Sequence, residues 1–482
     1  MQYQAPEGAA ANLRAGRPLM PRGEDTNIVT AKIQKCLWLI PSVATILTCC
    51  AQPGGPAYTV TDMVTINFAS PSGVPAYRAS GFIYGLSENG ATPALNLQSD
   101  IKVKFIRAGG AQLDCPDGGY VNGQYPRRWN SVKDYYARTK AIGATFILLT
   151  HDLWGADAVC KVPHWPGDDS DWTPFTDFMT RVISDVVANG MAGPDVQWDI
   201  WNEPDLITPV QFWGRSQAQY LEMWKRAYLQ IRAAIPKAVI AGPSTAGQPA
   251  LSCAWFSTYL DYIKANNVVP DYMSWHQLIP NSDPATSKKE LDEMLAARSM
   301  SVEGYQINEY GSNPTEQEAG PSAWYLGRFE RLGVDALRAN WGMGGGLYMG
   351  MGDLVTPAGQ PTASWWTYKR YADMTGTLVA VAASSKVDGV AATDSGAKRA
   401  IVVLGSRSGV TGAVTVQLNN IPSYLQSSAK TRVKVERMPE GTGAVSAPLV
   451  VSDQTMIVSN NALTLAVSWS QARDAYAITL SP

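Results

Sequence analysis

From residue 81 onward, short apolar runs alternate with amphipathic stretches of helical period, which predicts βα units around a parallel sheet. The strand candidates are residues 81–86, 102–107, 145–150, 196–202, 238–242, 272–276, 304–309 and 345–351. Between them the 3.6-residue period predicts helices over 131–142, 175–188, 218–234, 255–266 and 323–340. Eight strands with intervening helices match the size of a closed (β/α)8 barrel of the TIM type. An open doubly wound sheet is the other architecture with this alternation. No Gly-rich phosphate fingerprint follows the first strand, which argues against its nucleotide-binding version.

Around Thr375 the pattern changes. Short alternating strands (400–404, 413–418, 432–437, 455–458, 463–467 and 475–480) are separated by Gly, Asn and Pro turns, as in a small antiparallel β-sandwich. Residues 58–68 also alternate (Val60, Met63, Val64, Ile66, Phe68) and predict an early strand that joins this sandwich. The chain therefore divides into a leader over 1–51, an N-terminal strand region over 52–80, a barrel over 81–374 and a sandwich over 375–482.

The leader has the organisation of a secretion signal. Lys32 and Lys35 precede the uncharged run 36–50, and Ala51 follows with Cys49 two places before it. The run is short for a membrane span and Pro41 interrupts it, so an extracellular protein without stable membrane association is expected, with an uncleaved anchor as the alternative. The polar stretch ahead of it is either a long n-region or a sign that translation begins at Met20. Cleavage after Ala51 would remove Cys36, Cys49 and Cys50. Of the remaining three, a Cys115–Cys160 bridge with an unpaired Cys253 is expected.

Charge narrows the partners. Charged residues are 17% of the chain and the formal net charge is −2, so nothing points to nucleic acid. The 16 Trp and 21 Tyr against 9 Phe fit surfaces that stack on a sugar ring and hydrogen-bond at its edge, and equally a Trp-rich core.

Polar residues gather at the predicted strand ends: Arg107, His151-Asp152, Asn202-Glu203, His276, Glu309, and Asp353 beyond the eighth strand. In a barrel these ends share one mouth. His151, His276 and a carboxylate could form a ligand set, but no His-Glu-x-x-His or paired-Cys spacing is present, and neither metal nor cofactor is expected. Two glutamates on opposite strand tips, Glu203 before Pro204 and Glu309 before Tyr310-Gly311, suit cleavage of a glycosidic bond. One donates a proton to the leaving oxygen; the other attacks the anomeric carbon or activates water.

These motifs, Trp201-Asn202-Glu203-Pro204 on the fourth strand and Asn308-Glu309-Tyr310-Gly311 on the seventh, closely resemble those of the clan A retaining glycoside hydrolases. The added sandwich with its N-terminal strand looks most like family 39; families 30 and 51 share that arrangement. The resemblance implies that Glu203 is the acid/base, Glu309 the nucleophile, and Asn202 a donor to the sugar 2-hydroxyl. It also implies that Arg107 keeps the nucleophile ionised and that His276 contacts it. His151, Asp152 and Trp154 are candidates for a substrate-binding edge, with Tyr348, Trp341 and Asp353 as weaker ones; Phe212, Trp213, Tyr220 and Trp224 read as helix packing. Family 39 xylosidases usually carry a Trp-Asn type pair after the nucleophile, where this chain has Tyr310-Gly311. The substrate implied is an oligosaccharide or polysaccharide, with glycone and linkage left open.

Overall fold

A computed structural model describes residues 62–113, 118–157, 162–206, 212–340 and 346–482. The leader, Cys115, Cys160 and Trp341 lie outside the described residues; Cys253 is a free thiol.

Eight parallel strands close into a barrel: β2 (Gly81–Ile83), β3 (Phe105–Ala108), β4 (Thr145–Leu149), β5 (Val196–Asp199), β6 (Val239–Thr245), β7 (Tyr272–Gln277), β8 (Gly304–Tyr310) and β9 (Asp335–Arg338). β2 pairs with both β3 and β9, which completes the ring. Every residue of β3, β5 and β9 is buried. A barrel strand has side chains on one face and helices on the other, so its sequence reads as a continuous apolar run.

Among the described residues the α-helices are α1 (Asn96–Ser99), α2 (Tyr125–Ala141), α3 (Thr150–Trp154), α4 (Thr173–Ala188), α5 (Gln217–Ala234), α6 (Ala254–Ala265), α7 (Pro284–Ala296), α8 (Ala319–Leu332) and α9 (Ala363–Ala372). In α5 the buried Tyr220, Trp224, Ala227 and Ile231 recur at helical spacing and form the core-facing stripe. Ser216 caps its start by accepting from the Gln219 N–H, and Asp283 caps α7 through Ala285.

Two predicted elements differ from those observed. The eighth barrel strand is Asp335–Arg338, whereas the chain after residue 345 runs as turns. The helix expected to reach Asn340 stops at Leu332, where Gly333 takes the left-handed conformation at φ 66°. Glycine there ends the helix without a Cβ penalty. The four-residue strand behind it was submerged in the helical period.

The remaining strands are β1 (Asp62–Gly73), β10 (Thr377–Ala382), β11 (Val387–Asp394), β12 (Arg399–Ser406), β13 (Gly412–Asn419), β14 (Lys430–Met438), β15 (Leu449–Ile457), β16 (Leu463–Trp469) and β17 (Ala475–Ser481). They form one sheet in the order β15-β14-β17-β12-β11-β10-β1-β13-β16. Its pairs are antiparallel except β1–β13. Val64 and Ile66 of β1 share a core with Val402, Val416, Val433 and Ile478, so the two halves of the sheet enclose a single apolar layer.

Barrel and sandwich meet along α8. A Cβ on Gly327 would lie 2.2 Å from the Gly389 carbonyl, and one on Gly405 would lie 2.1 Å from the Gly320 carbonyl. Backbone rests directly on backbone at both places. Arg407–Glu316 at 2.8 Å and Arg473–Glu318 at 3.0 Å flank the seam.

Candidate active site

The barrel interior is polar in layers. On β5, Gln197 and Asp199 point inward; on β8, Gln306 and Asn308 do the same. The Gln306 amide donates to Gln197 at 3.0 Å, and one turn of pleat higher the Asn308 amide donates to Asp199 at 2.8 Å and to Ser244 at 2.7 Å. Ser244 Oγ also donates to Asp199 at 2.9 Å. This scaffold of fully buried groups carries the layer above it.

Three departures from regular strand geometry aim that upper layer. Trp275 pairs with Ile307, but His276 pairs with Glu309, so Asn308 is an extra residue in β8. Regular alternation would send Asn308 inward and Glu309 outward; the bulge turns both into the barrel. Beyond β5, Glu203 adopts φ 47° and its side chain follows that of Asn202 inward. On β6 the register shifts between Pro243 and Thr245, with Ser244 at φ 56°.

Arg107, at the tip of β3 and buried, organises the result. Its Nε donates to Asp199 at 2.8 Å, one terminal nitrogen to Glu309 at 2.9 Å and the other to the Asn202 oxygen at 2.7 Å. With its oxygen taken up by Arg107, Asn202 keeps its amide nitrogen as a donor. His276 stands between the glutamates: Nδ1 is 2.9 Å from Glu203 Oε1 and Nε2 is 3.6 Å from Glu309 Oε1.

The charges sort themselves by these contacts. Burial lowers His276 to about 4, against the pull of Glu309, so the ring is neutral at ordinary pH. Burial raises Glu203 to about 7, with Arg107 and His151 opposing. Burial raises Glu309 as well, with His276 and Arg107 opposing, but Glu309 alone receives an arginine bond. The proton therefore belongs on Glu203, donated to His276 Nδ1, while Arg107 favours the Glu309 anion. Arg107 is held charged: burial works against it, and Asp199 and Glu309 more than offset that.

Ligand atoms of Glu203, His276 and Glu309 lie within 4.8 Å of one another, a spacing that a metal ion could also use. Arg107 already brings positive charge to the same Glu309 oxygen, and a proton occupies Glu203 below about 7, so the donor set suits proton transfer better.

The other predicted residues are placed variously. His151 is wholly buried on α3, with Nδ1 2.7 Å from Asp152 and its ring against Trp201 and Phe212. The second Asp152 oxygen accepts from Tyr84, a residue that the sequence reading missed. Trp154 packs against Tyr120, Phe175 and Phe178, with its indole N–H on the His164 carbonyl; it is wall and not mouth. Tyr348 is half-buried, its hydroxyl on the Ala111 carbonyl at 2.8 Å. Asp353 is buried. Trp213, Tyr220 and Trp224 are core, but Phe212 and Trp213 precede α5, and Phe212 lies along His151. Asp199 was also missed; its signal was the alternation of Gln197 and Asp199 with Trp198 and Ile200.

A family model described as glycosyl hydrolases family 39 matches residues 177–316, a span that includes both glutamates. A 3-O-alpha-D-galactosyl-alpha-L-arabinofuranosidase of Bifidobacterium longum subsp. longum is 24% identical over 450 residues, covering 79% of this chain and 37% of its own length. A 3-O-beta-L-arabinopyranosyl-alpha-L-arabinofuranosidase of Bifidobacterium pseudocatenulatum is 22% identical, covering 81% of this chain and 44% of its own length. The chain thus spans less than half the length of these curated relatives. The solved structure of N2152 from Neocallimastix frontalis shares the fold, with a TM-score of 0.72 at 24% identity, covering 88% of this chain and 100% of that one. The chain resembles the clan A glycoside hydrolases and is most like family 39.

Proposed function

We propose that this chain is an extracellular retaining glycoside hydrolase that acts on oligosaccharides or polysaccharides, with Glu203 as acid/base and Glu309 as nucleophile. The observation that carries the reading is one pair of carboxylates, with oxygens within 4.8 Å, of which burial keeps one protonated while the other takes an arginine bond. That separation suits retention, which needs about 5 Å, better than inversion, which needs roughly 6.5–9.5 Å to seat a water.

In the first step a Glu309 oxygen bonds to the anomeric carbon as the glycosidic C–O bond breaks, and the Glu203 proton passes to the departing oxygen. The product is a glycosyl ester on Glu309. In the second, Glu203 removes a proton from water, the water oxygen bonds to the anomeric carbon, and Glu309 leaves as carboxylate. Asn202 donates to the sugar 2-hydroxyl throughout. Arg107 stabilises Glu309 as an anion before attack and after release. The names of both curated relatives favour an α-L-arabinofuranosyl glycone.

The test is release of nitrophenol from aryl α-L-arabinofuranoside, β-xyloside, β-glucoside, β-galactoside and α-iduronide by wild type and Glu309→Gln. Turnover of the arabinofuranoside by wild type alone is the expected result. Binding of arabino-oligosaccharides without cleavage would instead support a non-hydrolytic barrel.

A further inference from the structure

The turn that presents Glu203 is held in a conformation that side chains rarely adopt. A left-handed backbone is unfavourable for a residue with a Cβ, so Glu203 at φ 47° needs restraint from outside the turn. The restraint comes from the loop after β6. The Glu203 N–H donates to the Ser244 carbonyl at 2.9 Å. In return, the Ala246 N–H donates to one Asp205 oxygen and the Gly247 N–H to the other, each at 2.8 Å. Three bonds thus clasp residues 203–205 to residues 244–247, and Asp205 supplies the acceptor for two of them. Thr245 stiffens the receiving loop by donating to the Gly247 carbonyl at 2.8 Å.

We propose that Asp205 is a positioning residue for Glu203: its two oxygens lock the turn that presents Glu203 and keep that carboxyl buried. The inference rests on the acid/base role proposed above. Only a carboxylate offers separate acceptors to two successive N–H groups; an amide would set its NH2 against one of them. The other groups facing Glu203 are His276, Glu309, Arg107 and His151, and those facing Asp205 are Glu203 and Tyr220 of α5. Burial is what raises Glu203, so a turn that relaxes and admits water lets its carboxyl ionise more easily. Asp205 itself is raised by burial of its carboxyl end, against the two N–H bonds that stabilise its anion.

The experiment compares the full chain with Asp205→Asn and Asp205→Ala by two readouts. The first is the titration of Glu203 in protein carrying carboxyl-13C glutamate, its resonance identified by its absence from Glu203→Gln. The Glu203 midpoint is expected to fall by half a unit or more in both Asp205 variants. An unmoved midpoint overturns the proposal. The second is kcat/KM across aryl glycosides of differing leaving-group acidity. Loss should be at least tenfold greater for poor leaving groups, which need the acid, than for dinitrophenyl substrates, which do not. A uniform loss would mark Asp205 as merely structural. If Asp205→Ala fails to fold, the near-isosteric Asp205→Asn carries both readouts. If wild type cleaves no glycoside, the functional reading falls, while the titration still decides the role of Asp205.

Discussion

Glu203 and Glu309 share a side chain and a neighbour in His276, yet Arg107 touches only one of them. That asymmetry has a thermodynamic signature. Unfolded, Glu203 titrates near 4.3; folded, at about 7. Between these values the native state binds more protons, so stability falls as pH rises through the window and levels off above it. Urea unfolding of Glu203→Gln should therefore gain on wild type between pH 4 and pH 8, by about 3 kcal/mol for a shift of this size. Parallel pH dependences would mean that Glu203 titrates normally. The same group should set the basic limb of the wild-type pH–rate profile near 7 for substrates with poor leaving groups. Arg107→Met removes the cation from two buried carboxylates, and breaking such a set typically costs about 3–5 kcal/mol. Its melting temperature should drop accordingly, together with turnover; an unchanged melting curve would show the network to be dispensable.

At the scale of the element, the site depends on strand ends that break their own alternation. The sequence signals this directly, because Asn202-Glu203 and Asn308-Glu309 are adjacent polar pairs where a regular strand would place one residue inward and one outward. Inserting one alanine between Asn308 and Glu309 moves Glu309 one place along β8 and rotates it toward the helices. Activity should vanish while far-UV circular dichroism still reports a folded barrel; retained turnover would mean that the bulge does not aim Glu309. Glu203, Glu309, Arg107, Asn202 and His276 were legible because strand tips of a barrel converge whatever the loops do. Tyr84 and Asp205 were not: Tyr84 meets the Asp152 carboxylate and two backbone N–H groups after β3, Asp205 two backbone N–H groups after β6, and no spacing in the chain reveals such contacts. The eighth strand was hidden for a related reason. Asp335–Arg338 is four residues long and follows Gly333 so closely that helical periodicity runs through it. Trp154 shows the opposite error: an aromatic near the mouth in sequence whose ring belongs to the packing of α4.

For the molecule as a whole, the barrel and the sandwich are joined through α8, the helix that follows the strand bearing Glu309. Glycine at 327 allows contact with the Gly389 carbonyl, and even a methyl group there would have to force the two backbones apart. Gly327→Ala should lower stability by about 1–3 kcal/mol, the usual cost of overpacking a close contact, and calorimetry should still show one transition if the halves unfold together. Two separated transitions would indicate that the seam does not couple them. The aromatic content, which the sequence left divided between sugar stacking and core, is largely core: Trp154, Trp198, Trp201, Trp213, Trp224 and Trp275 are all buried.

The pairing of β1 with β10 has a consequence for how the chain is made. Gly73 lies opposite Leu378, so the whole barrel is threaded between two neighbouring strands of one sheet. On a ribosome that adds about 5–20 residues per second, β1 emerges roughly 15–60 seconds before either of its partners. Throughout that interval its alternating Val64, Ile66 and Phe68 have no sheet to enter. The barrel can close in the meantime, which makes β1 the segment a chaperone would have to shield during synthesis.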